Sequence, residues 1–207
     1  MFFEGFSSVP DGKNGYILTI RYGNVDGLLK KYFLESPVTD RDGYPYFVNP
    51  ISDGIPRVDP ALLEETVDGL LSIGKFDCDV ILAPEAMGIP LAVPISLKTG
   101  IPYSVIRKRK YGLPGEITVK RATGYSSGFL YINGLKAGDK VAIVDDVLST
   151  GGTVRAINAA LKERGIVLNE LVTVFDKTES PVTMEGVEIK SILRVGVKDG
   201  RPCIKEY

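Results

Sequence analysis

Val141-Ala142-Ile143-Val144-Asp145-Asp146-Val147-Leu148-Ser149-Thr150-Gly151-Gly152-Thr153-Val154 is the stretch on which the fold turns. A short apolar, β-branched run reads as a buried strand, two carboxylates stand at its end, and a Ser/Thr/Gly loop follows. Val154, Ile157 and Leu161 then fall on one face of a helix. The two glycines let the backbone turn tightly, so successive N–H groups converge on one concavity at a helix N-terminus, where the macrodipole favours an anion. Ser149, Thr150 and Thr153 add hydroxyl donors, and the loop Ser149, Thr150, Gly151, Gly152 and Thr153 is expected to hold a phosphate. Asp145 and Asp146 cannot share that anion, because like charges repel, but each carboxylate can accept hydrogen bonds from a vicinal diol. A phosphate beside a diol describes a ribose phosphate. A bare glycine pair would mean no more than a strand-to-helix turn; here nine consecutive residues have complementary roles.

Outward from this segment, short β-branched runs alternate with helical stretches: Val80 to Ala83 then Ile89 to Lys98, Ser104 to Ile106, Val141 to Val144 then Val154 to Arg164, and Leu171 to Phe175. The alternation predicts an α/β fold, a parallel twisted sheet flanked by helices, with ligands beyond the carboxyl ends of the strands. Asp59-Pro60 reads as an N-cap followed by proline at the first helical position, and Leu63, Val67, Leu70 and Leu71 continue a helix until Gly74. Gly69 to Lys75 has P-loop spacing, but Phe76 stands where a magnesium-binding hydroxyl belongs and the segment ends a helix, so the match is coincidental. Residues 1–45, rich in glycine and aromatics, are expected to form a peripheral cap, and residues 46–207 the main domain.

The 207 residues suit one main core, with 44% hydrophobic and 25% charged residues excluding disorder as the main state. A net charge of -1 leaves no overall attraction to nucleic acid or an anionic membrane, so neither is expected as a partner. The longest apolar stretch, Ile89 to Ile95, is far below the roughly 20 residues of a membrane span, and residues 1–12 lack the pattern of a secretory signal. A cytoplasmic location is expected. With no histidine, Ser-His-Asp, Cys-His and HExxH chemistries are excluded, and two cysteines make neither a disulfide framework nor a four-ligand zinc site.

The string from Asp145 to Thr153 resembles the phosphoribosyl-pyrophosphate signature of type I phosphoribosyltransferases, and from about residue 45 to residue 195 the chain resembles purine enzymes of the adenine and xanthine type, including archaeal hypoxanthine/guanine phosphoribosyltransferases. The resemblance implies transfer of a purine nitrogen to C1 of the ribose with loss of pyrophosphate, as in purine salvage. It implies Asp145 and Asp146 on the ribose hydroxyls and the Ser149–Thr153 loop on the 5-phosphate. Magnesium would arrive with the substrate, whose pyrophosphate and diol oxygens are hard ligands, so no protein metal ligand is assigned. Glu85, Ala86, Met87 and Gly88 look like the family's pyrophosphate loop. Arg107 and Lys108 open a basic run that leads into a mobile lid, residues 108–127, and could neutralise the leaving group. Because such side chains reach the neighbouring subunit in relatives, a homodimer is implied.

Adenine-type relatives carry a glutamate where this chain has Gly124, before Tyr125, and Ser149 stands where hypoxanthine/guanine enzymes of the other type have an aspartate. Glu116 is a conceivable substitute for proton handling. Residues 44–58 resemble the hood over the base, with Phe47 to stack on it and Asn49 to read its edge. Lys177, a donor-only group at a strand end, suits O6 of a 6-oxopurine (hypoxanthine, guanine or xanthine) and is mismatched to the 6-amino group of adenine. The alternatives are an adenine phosphoribosyltransferase, a non-catalytic regulator that senses phosphoribosyl pyrophosphate or purine, and an orotate enzyme. The regulator lacks a recognisable helix-turn-helix, and the orotate reading does not account for Phe47 and Lys177.

Overall fold

Alternating side chains on two faces explain the architecture. In the computed structural model Ile81, Ala83, Ala142, Val144, Val172 and Val174 point into one apolar core, whereas Leu82, Val141, Ile143 and Leu171 point into a second. Strands that are apolar on both faces must be covered on both, which is why they pair in parallel between helices. The structure describes residues 6–10, 17–22, 27–41, 43–123 and 126–205, of which 6–10, 17–22, 121–123 and 126–127 are described by backbone alone.

Six strands pair in parallel in the order β2 (Ile17–Tyr22), β11 (Glu188–Lys198), β10 (Val167–Asp176), β9 (Lys140–Leu148), β5 (Val80–Pro84) and β6 (Tyr103–Ile106). β1 (Phe6–Pro10) is antiparallel on β2, and β12 (Arg201–Ile204) antiparallel on β11. The first core is closed by α1 (Leu28–Leu34), α2 (Pro50–Asp53), α3 (Pro60–Ile73) and α4 (Gly88–Thr99). The second lies under α5 (Gly152–Lys162) and a hairpin of β7 (Ile117–Thr123) and β8 (Ser126–Ile132). A smaller hairpin, β3 (Val38–Arg41) with β4 (Tyr44–Phe47), stands over the sheet's carboxyl edge.

Local chemistry sets the helix ends. The Asp59 carboxylate accepts from Ala61 N–H at 2.8 Å and Pro60 opens α3, whose buried face is Leu62, Thr66, Val67, Leu70 and Ile73, with Leu63 and Leu71 beside it. Gly69 to Lys75 accordingly runs off the end of α3. The expectation of a peripheral cap over residues 1–45 needs correction. β1 and β2 extend the main sheet, and the Leu29 and Phe33 side chains of α1 are wholly buried in the first core. The Glu65 carboxylate of α3 accepts from Leu28 and Leu29 N–H at 2.9 and 2.8 Å, joining this segment to the body. A short helix carrying Leu, Tyr and Phe on a sequence with little other apolar periodicity gives only a weak signal of burial.

Candidate active site

β9 carries the site. Its residues alternate between the two cores as far as Val144, and the alternation continues through the acids: Asp145 lines a small cavity of about 90 Å³ with Ser149, Thr150, Gly151, Gly152 and Thr153, whereas Asp146 lines a larger one of about 650 Å³. The strand end therefore sends one carboxylate to each side. Both are half-buried, and Asp146 N–H donates to Asp145 Oδ1 at 3.0 Å. Burial, reinforced by the adjacent Asp146 charge, raises the Asp145 carboxyl well above the usual aspartate range; burial likewise raises Asp146.

The Ser149–Thr153 segment makes the tight strand-to-helix turn that its glycines suggest. Gly151 adopts φ +74°, and a Cβ there would lie 2.7 Å from Val182 Cγ1 and 2.8 Å from an Arg155 guanidinium nitrogen, so only glycine fits. α5 starts at Gly152 with Arg155 N–H bonded to the Gly151 carbonyl, leaving the first helical N–H groups beside the smaller cavity. Arg155 also donates to the Thr150 carbonyl at 3.0 Å, bracing the loop from behind.

Gly88 solves a packing problem on the neighbouring strand. A Cβ at this position would lie 2.8 Å from the Val144 carbonyl oxygen, so glycine lets α4 start directly against β9. The preceding turn contains Glu85, Ala86 and Met87, with a cis Glu85–Ala86 peptide. Pro84 lines the smaller cavity. The Glu85 side chain does not face a pyrophosphate: its carboxylate accepts from Arg107 at 3.0 Å and from Lys108 N–H at 2.7 Å. An anion would be repelled there, so Glu85 instead fixes the basic run beside the loop. Arg107 also pairs through its backbone with Tyr131 of β8 and reaches the Tyr111 hydroxyl at 3.4 Å.

Three further expectations change. Glu116 accepts from Asn133 Nδ2 at 3.0 Å and from the N–H groups of Tyr111 and Gly112 at 3.0 and 3.1 Å. The Asn133 bond foremost, with the backbone donors, holds its carboxyl below the usual range, so it clamps the base of the β7–β8 hairpin and is a poor proton carrier. Asn49 is fully buried; its Oδ1 accepts from Ile51 N–H at 2.9 Å as the cap of α2, and its Nδ2 donates to Ser36 Oγ at 2.9 Å. Both ends of its amide serve the fold. Phe47 is 2% exposed, edge-on to Phe33 at 5.1 Å and to Phe175 at 5.6 Å, so it forms part of the cavity floor and not a free stacking face. Gly124 and Tyr125 lie outside the described residues.

The side chains that surround the larger cavity are instead Arg41, Tyr44, Tyr46 and Lys177, with Asp146, Ser149 and Thr150 at its other end. Arg41 and the two tyrosines were missed; the Gly43-Tyr44-Pro45-Tyr46 turn was their only signal. Lys177 arrives because its N–H donates to the Leu148 carbonyl at 2.8 Å, tying the ends of β10 and β9 together. Its ammonium lies 4.7, 5.4 and 4.8 Å from the ring centroids of Tyr44, Tyr46 and Phe47.

A model of the phosphoribosyl transferase domain matches residues 63–195, from α3 through β11. The chain belongs to that family. It is 45% identical over 181 residues to a hypoxanthine/guanine phosphoribosyltransferase of Methanohalophilus mahii, covering 86% of this chain and 95% of the relative. To that of Methanothermobacter thermautotrophicus it is 48% identical over 181 residues, covering 86% and 94%. Among solved structures, an adenine phosphoribosyltransferase from Thermoanaerobacter pseudethanolicus aligns with a TM-score of 0.68 at 20% identity over 81% of this chain and 99% of its own. The Leishmania donovani enzyme of the same name gives 0.68 at 17% over 92% and 86%. These structures share the fold. The protein is a type I phosphoribosyltransferase, with a mostly parallel sheet flanked by helices.

Proposed function

We propose that the protein transfers the 5-phosphoribosyl group of phosphoribosyl pyrophosphate to a 6-oxopurine, forming the nucleoside 5′-monophosphate and pyrophosphate in purine salvage. The observation that carries this reading is continuity. Ser149 and Thr150 line both cavities, so phosphate loop, acids and Lys177 adjoin in one path from anion site to base site. In this reading the Ser149–Thr153 loop holds the 5-phosphate, Asp146 faces the ribose hydroxyls from the base side and Asp145 from the loop side. Arg107 and Lys108, set by Glu85, face the departing pyrophosphate, whose growing charge they stabilise. Lys177 donates to O6.

The names of the archaeal relatives support a 6-oxopurine, whereas the adenine enzymes resemble this chain in fold alone. Among the described residues no three acidic or thiol side chains converge into a metal cage, while the Asp145–Asp146 pair offers hard oxygens beside the expected diol. That donor set fits magnesium carried mainly by substrate oxygens, where it would offset pyrophosphate charge. No helix among the described residues is long and apolar enough to cross a membrane. A homodimer in the cytoplasm completes the reading, with lid residues reaching toward the partner subunit's site.

Incubation with phosphoribosyl pyrophosphate, magnesium and, separately, hypoxanthine, guanine, xanthine, adenine and orotate tests it. Nucleotide and pyrophosphate are expected from 6-oxopurines and little or none from adenine. Turnover of adenine alone would refute the role of Lys177, and binding of phosphoribosyl pyrophosphate without product from any base would favour the sensor.

A further inference from the structure

We propose that the larger cavity takes its 6-oxopurine as the anion, with Arg41 and Lys177 as the paired cations that stabilise it; this rests on the transferase reading above. The Arg41 guanidinium carbon lies over the Tyr46 ring, 3.6 Å from its centroid, a contact that holds the side chain at the cavity wall. Lys177 stands among the Tyr44, Tyr46 and Phe47 rings. Among the described residues neither cation pairs with a carboxylate. Two cations thus face the cavity beside the Tyr44, Tyr46 and Phe47 rings, with Asp146, Ser149 and Thr150 at its other end.

Among the described residues the acids around the cavity do not cancel them. Asp146 lies at the ribose end. Asp53, behind Tyr46, accepts from the Tyr46 hydroxyl at 2.7 Å, the Asn49 N–H at 3.0 Å and the Ser52 hydroxyl at 2.8 Å. Asp176 is buried at the end of β10 and accepts from Thr178 N–H at 2.8 Å, while Arg194 of β11 is directed to the Thr178 and Glu179 carbonyls. Burial, helped by Asp53, pushes the Tyr46 phenol up to about 12, so it stays neutral and gives up no proton near neutrality.

This arrangement answers a chemical need. A purine nitrogen must lose its proton before or as it bonds to the ribose, Glu116 is tied to Asn133 and the lid backbone, and Ser149 is no base at neutral pH. A cationic cavity lowers the pKa of the bound purine, so the proton passes to water on binding and no protein base is required. The nitrogen lone pair of the anion then forms the bond to C1 of the ribose as the C1–oxygen bond breaks, and that bonding pair leaves with pyrophosphate, whose charge Arg107 and Lys108 balance. Arg41 becomes a determinant of specificity: it favours oxygen-rich, acidic purines over adenine.

The test is the pH dependence of kcat/KM for hypoxanthine and for the more acidic xanthine, the latter read as a substrate or as a competitive inhibitor. If the anion binds, kcat/KM (or the reciprocal inhibition constant) rises with pH to a plateau, and the break follows the purine, lying lower for xanthine. Arg41→Met, which retains an apolar side chain over Tyr46, should lower kcat/KM for both bases roughly 10- to 100-fold, the range of a hydrogen bond to a charged group, and Arg41→Lys should restore part of it. The KM for phosphoribosyl pyrophosphate should move less than twofold, on the same order-of-magnitude scale. A break at one pH for both bases, or a fall in kcat/KM as the free purine ionises, would mean that neutral purine binds and a protein group takes the proton, overturning the proposal. Absence of product from every 6-oxopurine would instead sink the transferase reading itself.

Discussion

Asp145 and Asp146 are adjacent in sequence yet serve different cavities, because consecutive residues of a strand point to opposite faces. Their substitutions should therefore differ. Asp146→Asn, on the base side, should lower kcat/KM by about 100-fold or more, as loss of a charged ligand hydrogen bond in a shielded site does. Asp145→Asn should cost less activity and add stability. The folded protein binds a proton at Asp145 more tightly than the unfolded chain, since burial raises the carboxyl well above the ordinary aspartate value of 3.8. Stability held below that value is lost as pH rises through the raised folded pKa, and the penalty persists at neutrality. Thermal unfolding should thus show Asp145→Asn with a higher midpoint than the parent at pH 8 and a shrinking difference toward pH 4. A difference that grows on acidification would contradict this assignment.

At the level of elements, two strand-to-helix turns meet on β9, and each depends on a glycine for a separate reason. Gly88 lets α4 approach the Val144 carbonyl, whereas Gly151 supplies a left-handed turn wedged between Val182 and Arg155. Gly151→Ala combines a positive φ with two contacts below 3.0 Å, so about 1–2 kcal/mol of conformational penalty adds to the steric one. Chemical denaturation should register the lost stability, and the KM for phosphoribosyl pyrophosphate should rise more than that for the base. A larger effect on the base would place the sugar phosphate elsewhere. The β7–β8 hairpin is held differently: its inner residues Ile117, Val119, Leu130 and Ile132 sit in the second core, while Phe129 on its outer face, and Tyr111 and Leu113 in the segment before it, remain exposed. The hairpin is anchored by one face, with the Glu116–Asn133 clamp at its root.

Across the whole molecule, the first core and the larger cavity share side chains. Phe33 of α1 packs against Phe47 of the hood at 5.1 Å and against Phe175, two residues before Lys177, at 5.4 Å. Phe33→Ala should cost about 3–5 kcal/mol, the range for a buried phenylalanine, and because Phe47 lines the larger cavity and Phe175 supports the strand end that carries Lys177, the KM for purine should rise beyond that for phosphoribosyl pyrophosphate. Equal changes in both would show that the aromatic trio supports the fold without shaping the cavity. Lys190, 1% exposed, and Glu170, 3% exposed, are joined at 2.8 Å elsewhere in the sheet, and Glu170 also accepts from Lys75 N–H. This buried pair registers β10 against β11, and removing either partner would leave a buried charge.

The run from Val141 to Thr153 determined the strand, the glycine turn, the helix start and the family, because each of those features depends on neighbours in the chain: alternation, a glycine at positive φ, hydroxyls at a helix start. The Asp59-Pro60 cap and the β5–α4 turn were legible for the same reason. What Glu85, Asn49, Phe47 and Glu116 do could not be read this way. Each carries side-chain chemistry suited to a ligand, and tertiary folding brought each a protein partner first: Arg107, Ser36, Phe33 and Asn133 respectively. Arg41 and Tyr44 entered the site through a hairpin whose position over the sheet depends on packing from α1 and β10. Local sequence specifies which groups are available; long-range contacts decide which of them still have a free face to offer a substrate.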